Sequence, residues 1–183
     1  MTDTGGSHAN LTPDYVAVRE EMESVAVYFG KEYLRQVDET DFYRELPKLR
    51  GTCSDRAVLR AMHFFGDNRR AREEAEALRA GDIELFLKLV QESGDSSEAL
   101  LQNLYSVSAP TEQAIPLGVA VSKRILDGKG AVRVHGGGFA GTIQAFVPTS
   151  RAEAYVAEME TVFGTGACYV FRIRPVGGME VTV

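Results

Sequence analysis

The residues Ala131 to Phe146, reading A-V-R-V-H-G-G-G-F-A-G-T-I-Q-A-F, constrain the fold more than any other part of the chain. Val132 and Val134 alternate with polar neighbours before the glycines, and Ile143, Ala145 and Val147 alternate with Thr142, Gln144 and Phe146 after them. Period two on both sides predicts a strand, a glycine-rich loop and a second strand. Gly136, Gly138 and Gly141 spell the G-x-G-x-x-G of a dinucleotide site, but that motif opens a helix, and here a strand follows. A Rossmann site is set aside on that ground. A loop of this kind brings bare backbone N–H groups close to a ligand, most often a phosphate. The alternative is a tight turn, because hairpins also use glycine pairs. Three successive glycines exceed what a turn needs, and each costs about 0.5–1 kcal/mol against alanine.

Upstream of Gly128 the apolar period is helical. Thr12-Pro13-Asp14 predicts a helix start with Thr12 as N-cap and Pro13 at the first helical position. That helix runs to about Gly30 with Tyr15, Val18, Met22, Val25 and Phe29 on its apolar face. A short polar helix follows between Asp38 and Arg50, interrupted by Pro47. Ser54 caps the next, in which Val58, Met62 and Phe65 share a face and Gly81 stops the pattern near Leu78. Asp82 opens another with Ile83, Phe86, Leu89 and Val90 inward, ending at Ser93-Gly94-Asp95, and a further helix covers Ser97 to Tyr105. Pro110 starts the last of this set, whose face is Ala114, Leu117, Val121 and Ile125 and whose stop is Asp127-Gly128. Beyond the strand pair come a helix from about Ser150 to Phe163, a strand over Ala167 to Ile173 and a final strand over Met179 to Val183. Helices grouped ahead of strands predict an α+β fold with a largely antiparallel sheet. A single domain over residues 1–183 is the simplest division, and a chain of that length buries roughly 70% of its unfolded surface.

Composition narrows the function. The chain has 26 acidic and 20 basic residues and a net charge of −6, which weighs against nucleic acid or an anionic membrane as partner. The basic run Arg69-Arg70-Ala71-Arg72 is followed at once by Glu73-Glu74-Ala75-Glu76, and such spacing pairs charges along a solvated helix face. No apolar stretch approaches the ~20 residues of a membrane span, and the polar, glycine-rich start has no signal-peptide pattern. Cys53 and Cys168 show no pairing pattern, as expected of two ordinary thiols in a reducing cytoplasm. His8, His63 and His135 are too scattered to suggest a metal set, and no Ser-His-Asp or Cys-His constellation can be assembled.

Val134-His135-Gly136-Gly137-Gly138-Phe139-Ala140-Gly141 closely resembles the third conserved motif of the GHMP small-molecule kinases in the form used by galactokinases. Thr4-Gly5-Gly6-Ser7-His8-Ala9-Asn10-Leu11-Thr12-Pro13-Asp14-Tyr15, Arg60-Ala61-Met62-His63-Phe64-Phe65 and Leu101-Gln102-Asn103-Leu104-Tyr105-Ser106 look like successive landmarks of the second half of bacterial galactokinases. Phe171-Arg172-Ile173-Arg174-Pro175-Val176-Gly177-Gly178 looks like the end of such a chain. The resemblance implies the ferredoxin-like, helix-elaborated C-terminal domain of these kinases. It implies ATP and Mg²⁺ as cofactors, bound mainly by an N-terminal lobe whose Gly/Ser-rich nucleotide loop has no counterpart here. The expected partners are galactose or a related hexose and that N-terminal lobe, with self-association through the face the lobe would cover. A chain of this kind is not expected to phosphorylate sugar by itself. The competing expectation is a free-standing module that senses sugar or oligomerises without kinase activity.

The site residues that the resemblance implies are few. Gly136, Gly137, Gly138, Phe139 and Gly141 form the loop bordering the phosphate-transfer site, with Gly137 and Gly138 also shaping the sugar pocket. The usual motif has glycine where Ala140 stands. Tyr15 matches a tyrosine that galactokinases place against the sugar. Its other reading is core packing, because it shares a helical face with Val18 and Met22. Asp14 reads equally as a first-turn carboxylate favoured by the helix dipole. His135 reads as a brace for the loop, and no catalytic residue is assigned to this chain.

Overall fold

The computed structural model describes residues 1–6 and 10–173. Strand β1 (Thr2–Asp3) leads through helices α1 (Thr12–Tyr28), α2 (Glu39–Leu49), α3 (Asp55–Ala80), α4 (Ile83–Ser96) and α5 (Ala114–Leu126) to strands β2 (Ala131–Val134) and β3 (Thr142–Phe146), then helix α6 (Ala152–Phe163). The strands form one antiparallel sheet in the order β1-β3-β2, with Val134 opposite Ile143 and Thr2 also opposite Ile143. Cys168 bridges Thr2 on the outer side of β1. The chain therefore runs β-α-β-β-α-β with the last strand position beside the first, a ferredoxin-like sheet enlarged by four extra helices.

Two apolar cores carry this arrangement. One lies among the first three helices, where Val25, Ala26, Phe42, Leu49, Ala61 and Phe65 are buried together. The other lies between one sheet face and α5 and α6, with Ile115, Val119, Val132, Val134, Ile143, Tyr155 and Met159. Helix α4 covers the opposite sheet face at β2. A Cβ on Gly94 would stand 2.8 Å from the Val132 carbonyl oxygen, so only glycine permits that approach. The signal read from sequence as a helix stop is a packing glycine, and α4 continues to Ser96.

Several expected boundaries move for physical reasons. Leu11, not Thr12, is the N-cap of α1; it has helical backbone angles and makes no side-chain cap bond. Ser54 and Asp82 do cap as expected, accepting from Ala57 N and Leu85 N, and Gly81 closes α3 with φ 72°. Pro47 lies inside α2 without breaking it, in the last turn. The helix expected over Ser97 to Tyr105 is only a π turn, Ser97–Leu101, ended by Gln102 at φ 57°. Helix α5 begins at Ala114 rather than Pro110 and buries Ile115, Gly118, Val119, Ser122 and Leu126, while Leu117 is 52% exposed. Ile83 is also exposed, because it occupies the first turn of α4 above the core. The strand expected over Ala167 to Ile173 is reduced to pairing at 167–169, where Asp3 N donates to Ala167 O and Tyr169 N to Met1 O. The strand expected over Met179 to Val183, the chain end from Arg174 and His8 lie outside the described residues.

Candidate functional site

The glycine loop between β2 and β3 is clamped from behind. His135 N donates to Thr142 O at 3.0 Å where the strands part. The Asn103 side chain donates through Nδ2 to Gly137 O at 3.0 Å, and Asn103 O accepts from Phe139 N at 2.5 Å. From the other side the Tyr15 hydroxyl donates to Gly138 O at 2.8 Å, and the Tyr15 ring meets Phe139 edge to face at 5.3 Å. Phe139 and Ala140 are buried against Leu11 and Val18, whereas Gly136 and Gly137 stay exposed. The loop's back is thus fixed and its tip faces outward. Among the described residues, the N–H groups of Gly136, Gly137 and Gly138 have no acceptor.

Backbone geometry explains where glycine is required. Gly136, Gly138 and Gly141 have φ of 68°, 82° and 91°, a region that penalises a side chain. Gly137 does not, yet a Cβ there would stand 2.7 Å from Tyr15 Cε1. At Gly138 a Cβ would stand 2.1 Å from Asn103 O. Between Gly138 and Gly141 the positive φ falls on Phe139 (64°) and not on Ala140, so alanine is tolerated there.

Tyr15 stands in the first turn of α1, 36% exposed, with its hydroxyl on the loop. It belongs to the loop clamp and not to the helical core of Val25 and Ala26. Asp14 accepts from Ser106 Oγ at 2.8 Å, which ties the segment after the π turn to the start of α1. His135 is exposed, with Nδ1 3.2 Å from Gln144 Oε1 on β3 rather than from a loop atom. Beside the loop a cavity of about 680 Å³ is lined by Gly5, Gly6, Asn10, Ser106, Ser108 and Ala140 among others.

Asn103 is the residue that sequence reasoning missed. It was legible only as part of a family landmark, because a lone polar residue after a helical stretch carries no signal of its own. A second polar cluster lies deeper. His63 Nδ1 is 2.9 Å from Ser96 Oγ, and Asp67 accepts from Ser93 Oγ at 2.7 Å and Arg70 Nε at 2.9 Å. Arg133 donates to Ser93 at 2.7 Å. Burial holds the His63 imidazole below its ordinary range and pushes the Glu74 carboxyl up. Arg60, 2% exposed, is paired with Glu21 at 3.0 Å and donates to Leu101 O at 3.1 Å; its burial lowers its pKa. Among the described residues no group of three or more His, Cys, Asp or Glu could hold a metal ion.

No protein-family model matches the chain. It is 31% identical over 147 residues to the galactokinase of Glaesserella parasuis serovar 5 (strain SH0165), covering 80% of this chain and 36% of that protein. It is 31% identical over 170 residues to the galactokinase of Homo sapiens, covering 92% of this chain and 40% of that one. The crystal structure of Lactococcus lactis galactokinase complexed with galactose superposes with a TM-score of 0.70 at 18% identity, covering 88% of this chain and 40% of that chain. The chain spans about two fifths of the length of the relatives it matches.

Proposed function

We infer that this chain, a galactokinase homologue, is the lobe of a sugar 1-kinase that supplies one wall of the hexose pocket and the glycine loop. The reaction is transfer of the γ-phosphoryl group of ATP to the anomeric hydroxyl of galactose or a close relative. The observation that carries this reading is the clamped loop, whose tip at Gly136 and Gly137 is exposed and whose N–H groups at Gly136, Gly137 and Gly138 have no acceptor among the described residues. Phosphoryl transfer depends on positioning and charge stabilisation more than on covalent chemistry, and fixed backbone donors provide both.

Bare N–H groups suit phosphate oxygens, so ATP fits the loop, and when bound with Mg²⁺ it supplies the phosphoryl group. The chain's own acidic residues do not gather into a metal site among the described residues. Mg²⁺ is assigned to the part of the homologues outside the span that this chain matches. Tyr15 has two tasks in this reading: its hydroxyl orients Gly138, and its partly exposed side chain bounds the sugar. The apolar surface at Tyr169, Val170 and Phe171, 54–73% exposed beside a groove of about 520 Å³, suits docking of the partner lobe. Two free thiols, Cys53 and Cys168, accord with a cytoplasmic setting, and among the described residues no helix is long and apolar enough to cross a membrane.

The test is capture of the native protein from its own cells with an antibody to this chain, followed by sizing and an assay for ATP-dependent galactose phosphorylation. A band well above 20.0 kDa that phosphorylates galactose is expected. A 20.0 kDa protein without activity, stabilised by galactose, would replace this reading with that of a sugar-sensing module.

A further inference from the structure

We propose that Asn103 is a positioning residue that fixes the peptide plane between Gly137 and Gly138, so that the Gly138 N–H is the donor the loop offers to a phosphoryl oxygen. In a trans peptide the C=O and N–H point in opposite directions. Asn103 Nδ2 holds the Gly137 carbonyl, which turns the Gly138 N–H away from Asn103. The next plane has both ends occupied, since Tyr15 donates to Gly138 O and Phe139 N donates to Asn103 O. The preceding plane, Gly136–Gly137, has neither end held among the described residues. Among the described residues the loop thus contains one N–H that is both fixed in direction and without an acceptor, that of Gly138, a buried residue next to the exposed Gly137.

Two further observations single out the amide of Asn103. The residue is 3% exposed, and its Oδ1 is buried with no hydrogen-bond partner among the described residues. A residue kept only for packing would not carry that oxygen. Turning the amide over would set Oδ1 against the Gly137 carbonyl, so the Nδ2–Gly137 bond defines the orientation. At Gly138 the two backbones approach so closely that a Cβ would overlap Asn103 O.

The proposal rests on the kinase reading only for the identity of the ligand; the loop itself can be followed without substrate. In the 183-residue chain, Asn103→Ala and Asn103→Asp are compared with wild type by amide exchange and by titration with inorganic phosphate, both read by NMR. Asn103→Ala should lower protection of the Phe139 amide about tenfold or more while the core amides of α5 and β3 keep theirs, in line with a local opening. Asn103→Asp gives a readout that packing alone would not move. As a carboxylate it repels the Gly137 carbonyl and frees the loop; once protonated it donates to that carbonyl, so protection corrected for intrinsic exchange rises as pH falls. Phosphate should shift the Gly138 amide in wild type and lose that effect in Asn103→Ala. In the captured native kinase, Asn103→Ala should cut kcat about 100-fold with KM for galactose nearly unchanged, the size expected for a misplaced reacting group. Wild-type-like exchange in both variants, no phosphate response at Gly138, or an unchanged kcat overturns the proposal. A wild-type protein that does not phosphorylate galactose overturns the kinase reading instead, and the exchange and phosphate results still decide the role of Asn103.

Discussion

Substituting Gly138 by alanine tests the loop geometry most directly, because Gly136 offers an internal control two residues away. Both glycines have positive φ, 68° at Gly136 and 82° at Gly138, so each alanine bears a left-handed backbone cost of about 1–2 kcal/mol. At Gly136 nothing lies within 4 Å of the added Cβ, and the cost stops there. At Gly138 the Cβ would fall 2.1 Å from the Asn103 carbonyl oxygen and 2.6 Å from its Nδ2. The carbonyl oxygen cannot yield without moving backbone, and the Nδ2 can yield only by giving up its bond to Gly137 O; overpacking of this kind costs about 1–3 kcal/mol. The displacement also pulls on the Phe139 N to Asn103 O and Tyr15 hydroxyl to Gly138 O bonds, each worth about 0.5–1.5 kcal/mol. Gly138→Ala should therefore destabilise by about 3–8 kcal/mol and Gly136→Ala by about 1–2, against a total of roughly 5–15 for a domain. Urea unfolding followed by circular dichroism measures both. Equal midpoints for the two variants would refute the claim that Asn103 and the loop are in backbone contact.

Three other outcomes follow from buried groups. His63 has its pKa held below the ordinary value of about 6.5, so the unfolded state takes up the proton first. Stability from His63 is then fully present above about pH 6.5 and lost as pH falls through the folded pKa; Glu74, whose pKa is raised, works in the opposite sense above about pH 4.3. Urea midpoints between pH 8 and 5 should fall more steeply for wild type than for His63→Gln, with Glu74 common to both. Glu21→Ala leaves the buried Arg60 guanidinium without its carboxylate and should cost about 3 kcal/mol, whereas Glu23→Ala, at the exposed pair with Arg19, should cost less than about 1 kcal/mol. Gly118→Ala drives a Cβ to 2.9 Å from Thr4 Cγ2 and 3.3 Å from Ile143 Cδ1, and thermal melts should show a loss of about 1–3 kcal/mol.

The sequence was most readable where one local rule had no rival. Ser54 and Asp82 are caps, Gly81 is a left-handed stop, and Val132, Val134 and Ile143 face a core as the alternation predicts. Helix α5 shows why periodicity can fail. Its inward face includes Gly118 and Ser122, chosen because Thr4 and Ile143 crowd the first and Tyr155 hydrogen-bonds the second at 2.7 Å. Neither residue is strongly apolar, so a search for large hydrophobic side chains settles on Leu117, one position off the true face. Strand β1 was not legible at all, since two residues hold no period. At the site, the glycines announced the loop, but the residues that hold it come from two other parts of the chain. Tyr15 was reached through a family likeness and Asn103 only through its contacts.

These contacts connect the helical half of the molecule to the loop through a short chain of bonds. Glu21 on α1 pairs with Arg60 on α3, whose Nε donates to the carbonyl of Leu101 at the end of the π turn. Gln102 then reverses the backbone at φ 57°, and Asn103 follows, facing Gly137 and Phe139. Three residues later Ser106 is held by Asp14, the neighbour of Tyr15. The segment 101–106 is therefore pinned at one end by a buried ion pair and at the other by the start of α1, with the loop's anchor between. A regular helix over Ser97 to Tyr105 would carry no such reversal, and it would aim the carbonyl of residue 103 along the helix axis. The π turn ends instead in the left-handed Gln102, and the Asn103 carbonyl beyond it accepts from Phe139 N, so the stretch serves the loop rather than continuing the helix.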